Sequence, residues 1–342
     1  MYKIAIAGAS TLLGRELKEA LEESPLAAAS FILLDEAAEI GKLDQVGDEL
    51  TFIQPILADT FERVDFTFFA GSEALTRKHW RDALRAGSTV LDLTGALDQE
   101  TGVLVRAPWL GAEEVTPDLF TPAVVPAHPA ALALALLLER VQQAAAVRFA
   151  AATVLEPASQ FGRPALDELH QQTVTLLSFQ NMPRELYDTQ IAYNLLSGFG
   201  EAAKASLSAA EARIRRHAAA LSAGRWPALA LQVLHAPVFH AHTFSIAIEL
   251  ERAVSVSALE DALSGDHVDL VLEDTDSPSN LAATGQNDVL VRLRPEFTDA
   301  RNSFETDRLW LWAAADNLRL HAQNAVQCAL DLRRLRPAGT VQ

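Results

Sequence analysis

A histidine sits where the stretch Val124-Val125-Pro126-Ala127-His128-Pro129-Ala130-Ala131-Leu132 turns from a β-branched run into an alanine- and leucine-rich helix. At a strand–helix junction the backbone N–H groups and the helix dipole favour negative charge. That field lowers the pKa of a thiol, so such a turn suits a cysteine nucleophile. Here the side chain is the imidazole of His128. Three roles are open to it: a catalytic group, a metal ligand, or a helix cap and packing residue, the usual fate of a lone histidine at a helix start. A second histidine, His242, opens the alternating run His242 to Leu250, and His240 shares its face if the strand is regular.

The other stretch with chemical spacing is Gly8-Ala9-Ser10-Thr11-Leu12-Leu13-Gly14, between the apolar run Lys3 to Ala7 and the helical spacing of Arg15 to Glu23. Strand, glycine turn and helix in that order make a dinucleotide site. Gly8 and Gly14 allow the tight turn and the close helix–strand packing. Ser10 and Thr11 stand where the pattern has a glycine that admits a pyrophosphate, with Leu12 next. The strand Ser30 to Leu34 ends in Asp35-Glu36. A carboxylate there takes the ribose hydroxyls of NAD and repels the extra phosphate of NADP. Asp35 to Glu39 is also acidic enough to be a solvated loop.

The elements that position these residues change character along the chain. Strands at Asp65 to Ala70, Thr89 to Leu93 and Val124-Val125 alternate with a helix, Glu73 to Arg85, which predicts a parallel, doubly wound sheet up to residue 127. Beyond it, Val147 to Leu155, Leu229 to Val238 and His242 to Leu250 read as antiparallel strands with helices on one face. Val147 to Leu155 and Leu229 to Val233 are apolar enough to be buried on both faces. Pro164 to Leu177, Glu201 to Leu221 and the short Ser257 to Leu263 supply helices, and an amphipathic helix closes the chain over Asp316 to Arg336. Trp310 and Trp312 flank Leu311 in a strand, as core or interface residues.

Composition narrows the function classes. The 342 residues suit about two domains, and 49% hydrophobic residues fill two ordinary cores. Lysine plus arginine total 28 against 45 aspartate plus glutamate, a formal charge of −17. That argues against nucleic acid or an anionic membrane as partner. Ala130 to Leu138 is too short to span a bilayer, and one cysteine, Cys328, forms no intrachain disulfide. The expectation is a cytoplasmic protein.

Several segments carry a resemblance: Ile4 to Leu17, Val124 to Ala130, Pro157 to Leu169, Ile191 to Leu195, Ala236 to Thr243 and Asn287 to Arg294. The most specific is Leu311-Trp312-Ala313-Ala314-Ala315-Asp316-Asn317-Leu318-Arg319 with Asn324-Ala325-Val326-Gln327. Over nearly its whole length the chain resembles the aspartate-β-semialdehyde dehydrogenase family. The resemblance implies a Rossmann-type NAD(P)-binding domain over residues 1–127 and 315–342. It implies an α+β dimerisation and catalytic-type domain over 128–314, a C-terminal helix returning to the first domain, and a homodimer. It also implies oxidation of an aldehyde through a cysteine thiohemiacetal, hydride transfer to NADP and release of an acyl phosphate.

The positions that serve this chemistry depart from the family. His128 replaces the nucleophilic cysteine of an Asn-Cys pair. His242 keeps the position of the base, with no nucleophile beside it to activate. His235 replaces the arginine for the substrate carboxylate, Glu156 the glutamine that orients substrate, and Asp98 an anion-binding arginine. Asp35-Glu36-Ala37-Ala38-Glu39 replaces the basic segment for the NADP phosphate. Asn317 takes the place of a residue that faces the nicotinamide; without that role it would cap the last helix. This set of losses resembles the Usg branch of the family, which lacks the cysteine. The expectation is a protein without the phosphorylating activity, binding NAD or NADP weakly if at all, and acting as a binding or regulatory protein. Two alternatives stand beside it. One is a nicotinamide oxidoreductase whose chemistry needs no cysteine. The other is a metal-dependent activity at His128, His242 and Glu156, which the family geometry brings together.

Overall fold

The computed structural model describes residues 1–36, 38–46, 49–111, 116–178, 180–272, 274–297 and 304–335, with backbone alone at Glu49. Ala37 and Arg336, each part of a segment expected above, lie outside the described residues. The chain divides into two units: Met1–Ala127 with the described part of His321–Gln342, and His128–Leu320.

The first unit is built on an all-parallel sheet. Its elements are β1 (Lys3–Ala7), α1 (Leu12–Glu22), β2 (Ser30–Asp35), a hairpin of β3 (Leu43–Val46) and β4 (Glu49–Phe52), and β5 (Gln54–Pro55). Then come β6 (Phe66–Phe69), α2 (Glu73–Arg85), β7 (Thr89–Asp92), β8 (Leu104–Arg106) and β9 (Val124–Pro126). The sheet order is β5-β2-β1-β6-β7-β9-β8. Both faces are covered, which is why Ile4 to Ala7 of β1 and all four residues of β6 are buried, Thr67 the one polar side chain among them. Ile4, Ile6, Phe66 and Phe68 face Leu17 and Leu21 of α1 together with Ala322, Ala325 and Ala329 of the final helix. Ala5, Ala7 and Phe69 face Leu75, Trp80 and Ala83 of α2. Gly8 has φ +90°, and a Cβ on it would overlap the backbone of Gly71. A Cβ on Gly14 would overlap the carbonyl of Gly8. These two positions therefore require glycine for the turn and for the seating of α1.

The second unit runs through α3 (Pro129–Ala144), β10 (Val147–Glu156), α4 (Arg163–Ser178), α5 (Leu207–Ser222), β11 (Ala230–His235) and β12 (His242–Ser255). It continues with α6 (Val256–Leu263), β13 (Val268–Leu270), α7 (Asn280–Ala283), β14 (Val289–Glu296) and β15 (Glu305–Ala315). The last helix, α8 (Asn317–Leu332), begins in this unit and continues into the first. The sheet order is β11-β10-β12-β15-β14-β13. It is mixed rather than antiparallel throughout, because β10 pairs with β11, and β13 with β14, in parallel. A chain that passes through α4 and α5 between β10 and β11 can return in the same direction.

The runs expected to be buried on both faces alternate instead. Along β10, Ala150, Ala152, Val154 and Glu156 are buried, while Phe149 is 45% exposed and Ala151, Thr153 and Leu155 are half-buried. Alanine and threonine are apolar enough to read as core, and their small size hides the period. Trp310 and Trp312 lie on β15 at 37% and 36% exposure, with Leu311 between them buried on the opposite face. One face of this sheet is thus core, and the other is a broad surface carrying Phe149 and two tryptophans.

Other expectations shift at their edges. The helix expected from Glu201 starts at Leu207, where the Ser206 hydroxyl accepts the Ala209 N–H as a cap. His240 precedes β12, and Ala241 between it and His242 has φ +69°, so His240 does not share a strand face with His242.

Candidate functional site

Two sets of expected residues fall into separate units. In the first unit Thr11 is the N-cap of α1. Its hydroxyl accepts the Gly14 N–H at 2.9 Å and lies 2.8 Å from the carbonyls of Gly8 and Ala70. The first-turn N–H groups of Leu12 and Leu13 are the ones a helix start leaves for an anion. Asp35 ends β2 and turns back onto the glycine turn: Oδ2 accepts the Ser10 N–H at 2.8 Å and the Ser10 hydroxyl at 2.6 Å, while Oδ1 accepts the Glu36 N–H. The carboxylate is buried. It therefore holds the turn from inside instead of standing free in an acidic loop. Asp98 follows a turn that Asp92 organises by accepting from Thr94 and Leu97.

The second unit collects His128, Glu156, His235, His242 and Asn317. The strands do this by register. Glu156 on β10 is the direct partner of His235 on β11. Leu155 pairs with Thr243, so Glu156 stands next to His242 on β12. The result is a lateral row of histidine, glutamate and histidine across three adjacent strands, on the covered face. All three are fully buried. His242 Nε2 lies 3.2 Å from Glu156 Oε2. Glu156 Oε1, His242 Nδ1 and both ring nitrogens of His235 have no hydrogen-bond partner among the described residues.

His128 is the N-cap residue of α3 and buried. Its backbone N–H donates to His217 Nδ1 on α5 at 2.9 Å. Its ring centroid is 5.9 Å from that of His242. Asn317 does not cap α8; Asp316 does, its Oδ1 accepting from Leu318 and Arg319. An aspartate one residue earlier takes the cap and frees the asparagine side chain. Asn317 Oδ1 accepts from the Ser159 hydroxyl and the Ala241 N–H, and Nδ2 donates to Gln160 Oε1. The Gln160 amide nitrogen then meets His128 Nε2 at 3.0 Å. The backbone N–H of Ala241 fixes the direction of this chain, so His128 Nε2 is the acceptor. A neutral imidazole has one acceptor nitrogen. The longer contact of His128 Nδ1 with the Ala130 N–H, 3.3 Å, competes with it.

Among the described residues no three of histidine, cysteine, aspartate and glutamate converge to hold a metal ion. Gln160 meets the Nε2 that His128 would offer a metal, and Glu156 faces His242. What the row offers is a carboxylate in contact with an imidazole, both out of water.

Sequence reasoning missed the aromatic surround. His235 lies against Phe161, Tyr187 and Phe199, at ring-centroid distances of 6.4, 5.1 and 5.4 Å. Tyr187 and Phe199 come from the irregular stretch between α4 and α5, which carries no periodic signal. The buried side chains of Glu168 and Gln172 on α4 pin it, accepting from Leu186, Tyr187, Ile191 and Ala192. Gln160 and Ser159 were not singled out either, although both fall in the segment Pro157 to Leu169 that carries the resemblance.

The models of two domains match the chain: "Semialdehyde dehydrogenase, NAD binding domain" over residues 3–127, and "Semialdehyde dehydrogenase, dimerisation domain" over residues 138–320. The chain belongs to the semialdehyde dehydrogenase family. Within it, the USG-1 protein homolog of Azotobacter vinelandii is 32% identical, covering 95% of this chain and 96% of that protein. The USG-1 protein homolog of Pseudomonas aeruginosa is 28% identical over 94% and 95%. The solved structure of a probable aspartate-semialdehyde dehydrogenase from Pseudomonas aeruginosa superposes with a TM-score of 0.83 at 26% identity, covering 97% and 98%. The expected family, its Usg relatives and the two-part fold are thus all found. No helix of the described residues is long and apolar enough to cross a membrane.

Burial pushes the His235 imidazole down to about pKa 4, so it is neutral near pH 7. In the unfolded chain it titrates near the ordinary 6.5. Between those values the unfolded state binds more protons, so the contribution of His235 to stability is full above about 6.5 and lost as pH falls toward 4. Urea denaturation at pH 7 and pH 4.5 should show the wild type losing about 2 kcal/mol more than His235→Phe. Equal losses in the two proteins would remove the buried neutral histidine from the account.

Proposed function

We propose that this chain is a semialdehyde dehydrogenase relative without the phosphorylating activity, and that it acts as a binding or regulatory protein. The observation that carries the reading is the residue at the strand–helix junction. On the resemblance, position 128 is the nucleophile's, and it holds a histidine whose ring is tied to Gln160. The chain's one thiol, Cys328, is buried in α8 of the first unit against the Arg106 carbonyl. Neither can form a thiohemiacetal at the site, so His242 has no nucleophile to activate. The second unit supports pairing of two copies: the sheet face with Phe149, Trp310 and Trp312 is open, and the family's matching domain is a dimerisation domain. Such a face fits an apolar, obligate interface in a cytoplasmic homodimer.

Phosphate-dependent NADPH formation from aspartate semialdehyde should be absent, because loss of a covalent nucleophile removes on the order of a million-fold in rate. His128→Cys alone should not restore it, since Asp98 and the neutral His235 offer the anions of the reactants no cation. Turnover by the wild type within about 100-fold of an active relative would overturn the first expectation; turnover by the single variant would overturn the second.

For the cofactor, the glycine turn of the NAD-binding domain retains Gly8, Gly14 and the amides of Leu12 and Leu13, which fit a pyrophosphate. A bound dinucleotide would supply hydride transfer. Asp35 opposes a 2′-phosphate, and its bonds to Ser10 limit how far it can turn to ribose hydroxyls. Calorimetry should find weak binding with NAD ahead of NADP, and Asp35→Ser should narrow the difference. Tighter binding of NADP to the wild type would reverse this reading.

A further inference from the structure

The row in the second unit holds more polar atoms than it can satisfy. Glu156 Oε1, His242 Nδ1, both nitrogens of His235 and the Tyr187 hydroxyl are buried without a hydrogen-bond partner among the described residues. A folded interior leaves few such atoms, and five in one place mark a site that something polar fills. The ion-pair partner of Glu156 among the described residues is His242, through Oε2; Oε1 is uncommitted. Around the row stand Phe161, Phe199 and Tyr187, packed edge to face on one another; Phe161 and Phe199 meet His235 edge to face, and Tyr187 meets it tilted. Phe161 and Phe199 are only half-buried, so their outer edges offer the way in.

We propose that Glu156 and these rings form a binding site for the ammonium group of a small primary amine that carries no carboxylate or phosphate. The ammonium donates to Glu156 Oε1, the Tyr187 oxygen accepts a second N–H, and the ring faces favour the positive charge. Burial keeps His235 neutral. No cation of the row is then left over to hold an anion, and Glu156 repels one. The inference rests on the reading that this site does not run the phosphorylating reaction. Turnover tests that reading and binding tests this one, so either can fail alone.

The experiment compares three probes of one size on the full chain: butylamine, butyramide and butyrate, by calorimetry and thermal shift. Butylamine should bind at least about ten-fold more tightly than the other two. Glu156→Gln should remove that preference. Phe199→Leu, which changes a half-buried ring outside any helix or strand, should weaken butylamine several-fold while circular dichroism stays unchanged. Should Glu156→Gln fail to fold, Phe199→Leu carries the test. The proposal is overturned if butyrate or butyramide binds as tightly as butylamine. It is equally overturned if a folded variant binds butylamine as well as the wild type, or if butylamine shows no saturable binding up to about 100 mM, a limit set by its few heavy atoms.

Discussion

A carboxylate held fully out of water is the constraint on which the second unit turns. Removing an ion from solvent carries an effective penalty of several kcal/mol, recovered only through good geometry with a partner. Glu156 gets that partner from register. β10 and β12 are antiparallel, and the pairing of Leu155 with Thr243 sets His242 beside it. A slip of one residue would turn Glu156 onto the open face and put Leu155 among the buried polar groups. The rest of the site follows. His242 at the start of β12 fixes the Ala241 turn, whose N–H fixes Asn317, whose amide fixes Gln160 and, through it, His128.

The same constraint explains why so much polar apparatus on α4 serves no ligand directly. A neutral imidazole next to a carboxylate needs a dry cover, and the irregular stretch with Tyr187 and Phe199 provides it. A segment of that length would be free to move unless tied down. Glu168 and Gln172, both buried, tie it by accepting backbone N–H groups, and the Gln172 amide donates in turn to the carbonyls of Pro183 and Thr189. The cover is held by side chains of one helix, a weaker and more local tether than a strand.

The sequence made the first unit largely legible because a parallel sheet covered on both faces writes itself as short apolar runs between helices. The glycine turn and α2 to the residue followed from that pattern, while the seating of the last helix came from the resemblance. The second unit was harder. Its alanine-rich strands hide their alternation, so Ala151 and Thr153 looked like core. The parallel pairing of β10 with β11 was invisible for a different reason: direction depends on what two intervening helices do, and no residue in either strand encodes it. His128 and His242 stood out by pattern, Glu156 and His235 were found through resemblance, and register explains why Glu156, His235 and His242 meet. Tyr187 and Phe199 had no pattern to betray them. The capping alternative for Asn317 was off by one residue, since either Asp316 or Asn317 can cap a helix and only the structure shows which does.

Taken with the resemblance, the replacements in the row are one change and not several. A glutamine beside an arginine leaves a free positive charge to meet a carboxylate. A glutamate beside a neutral histidine leaves at most a negative one, shared with His242. The two positions face each other across adjacent strands, so the charge at one is felt at the other. An arginine opposite Glu156 would neutralise it at close range and satisfy the pair internally, with nothing left for a ligand. A glutamine opposite a buried neutral histidine would give a site with no charge at all. Both changes together reverse the sign of the site while keeping its strands, its register and its base position. On the reading proposed here, the scaffold therefore outlived the reaction, because what specifies the fold is the register of the row and what specifies the ligand is its charge.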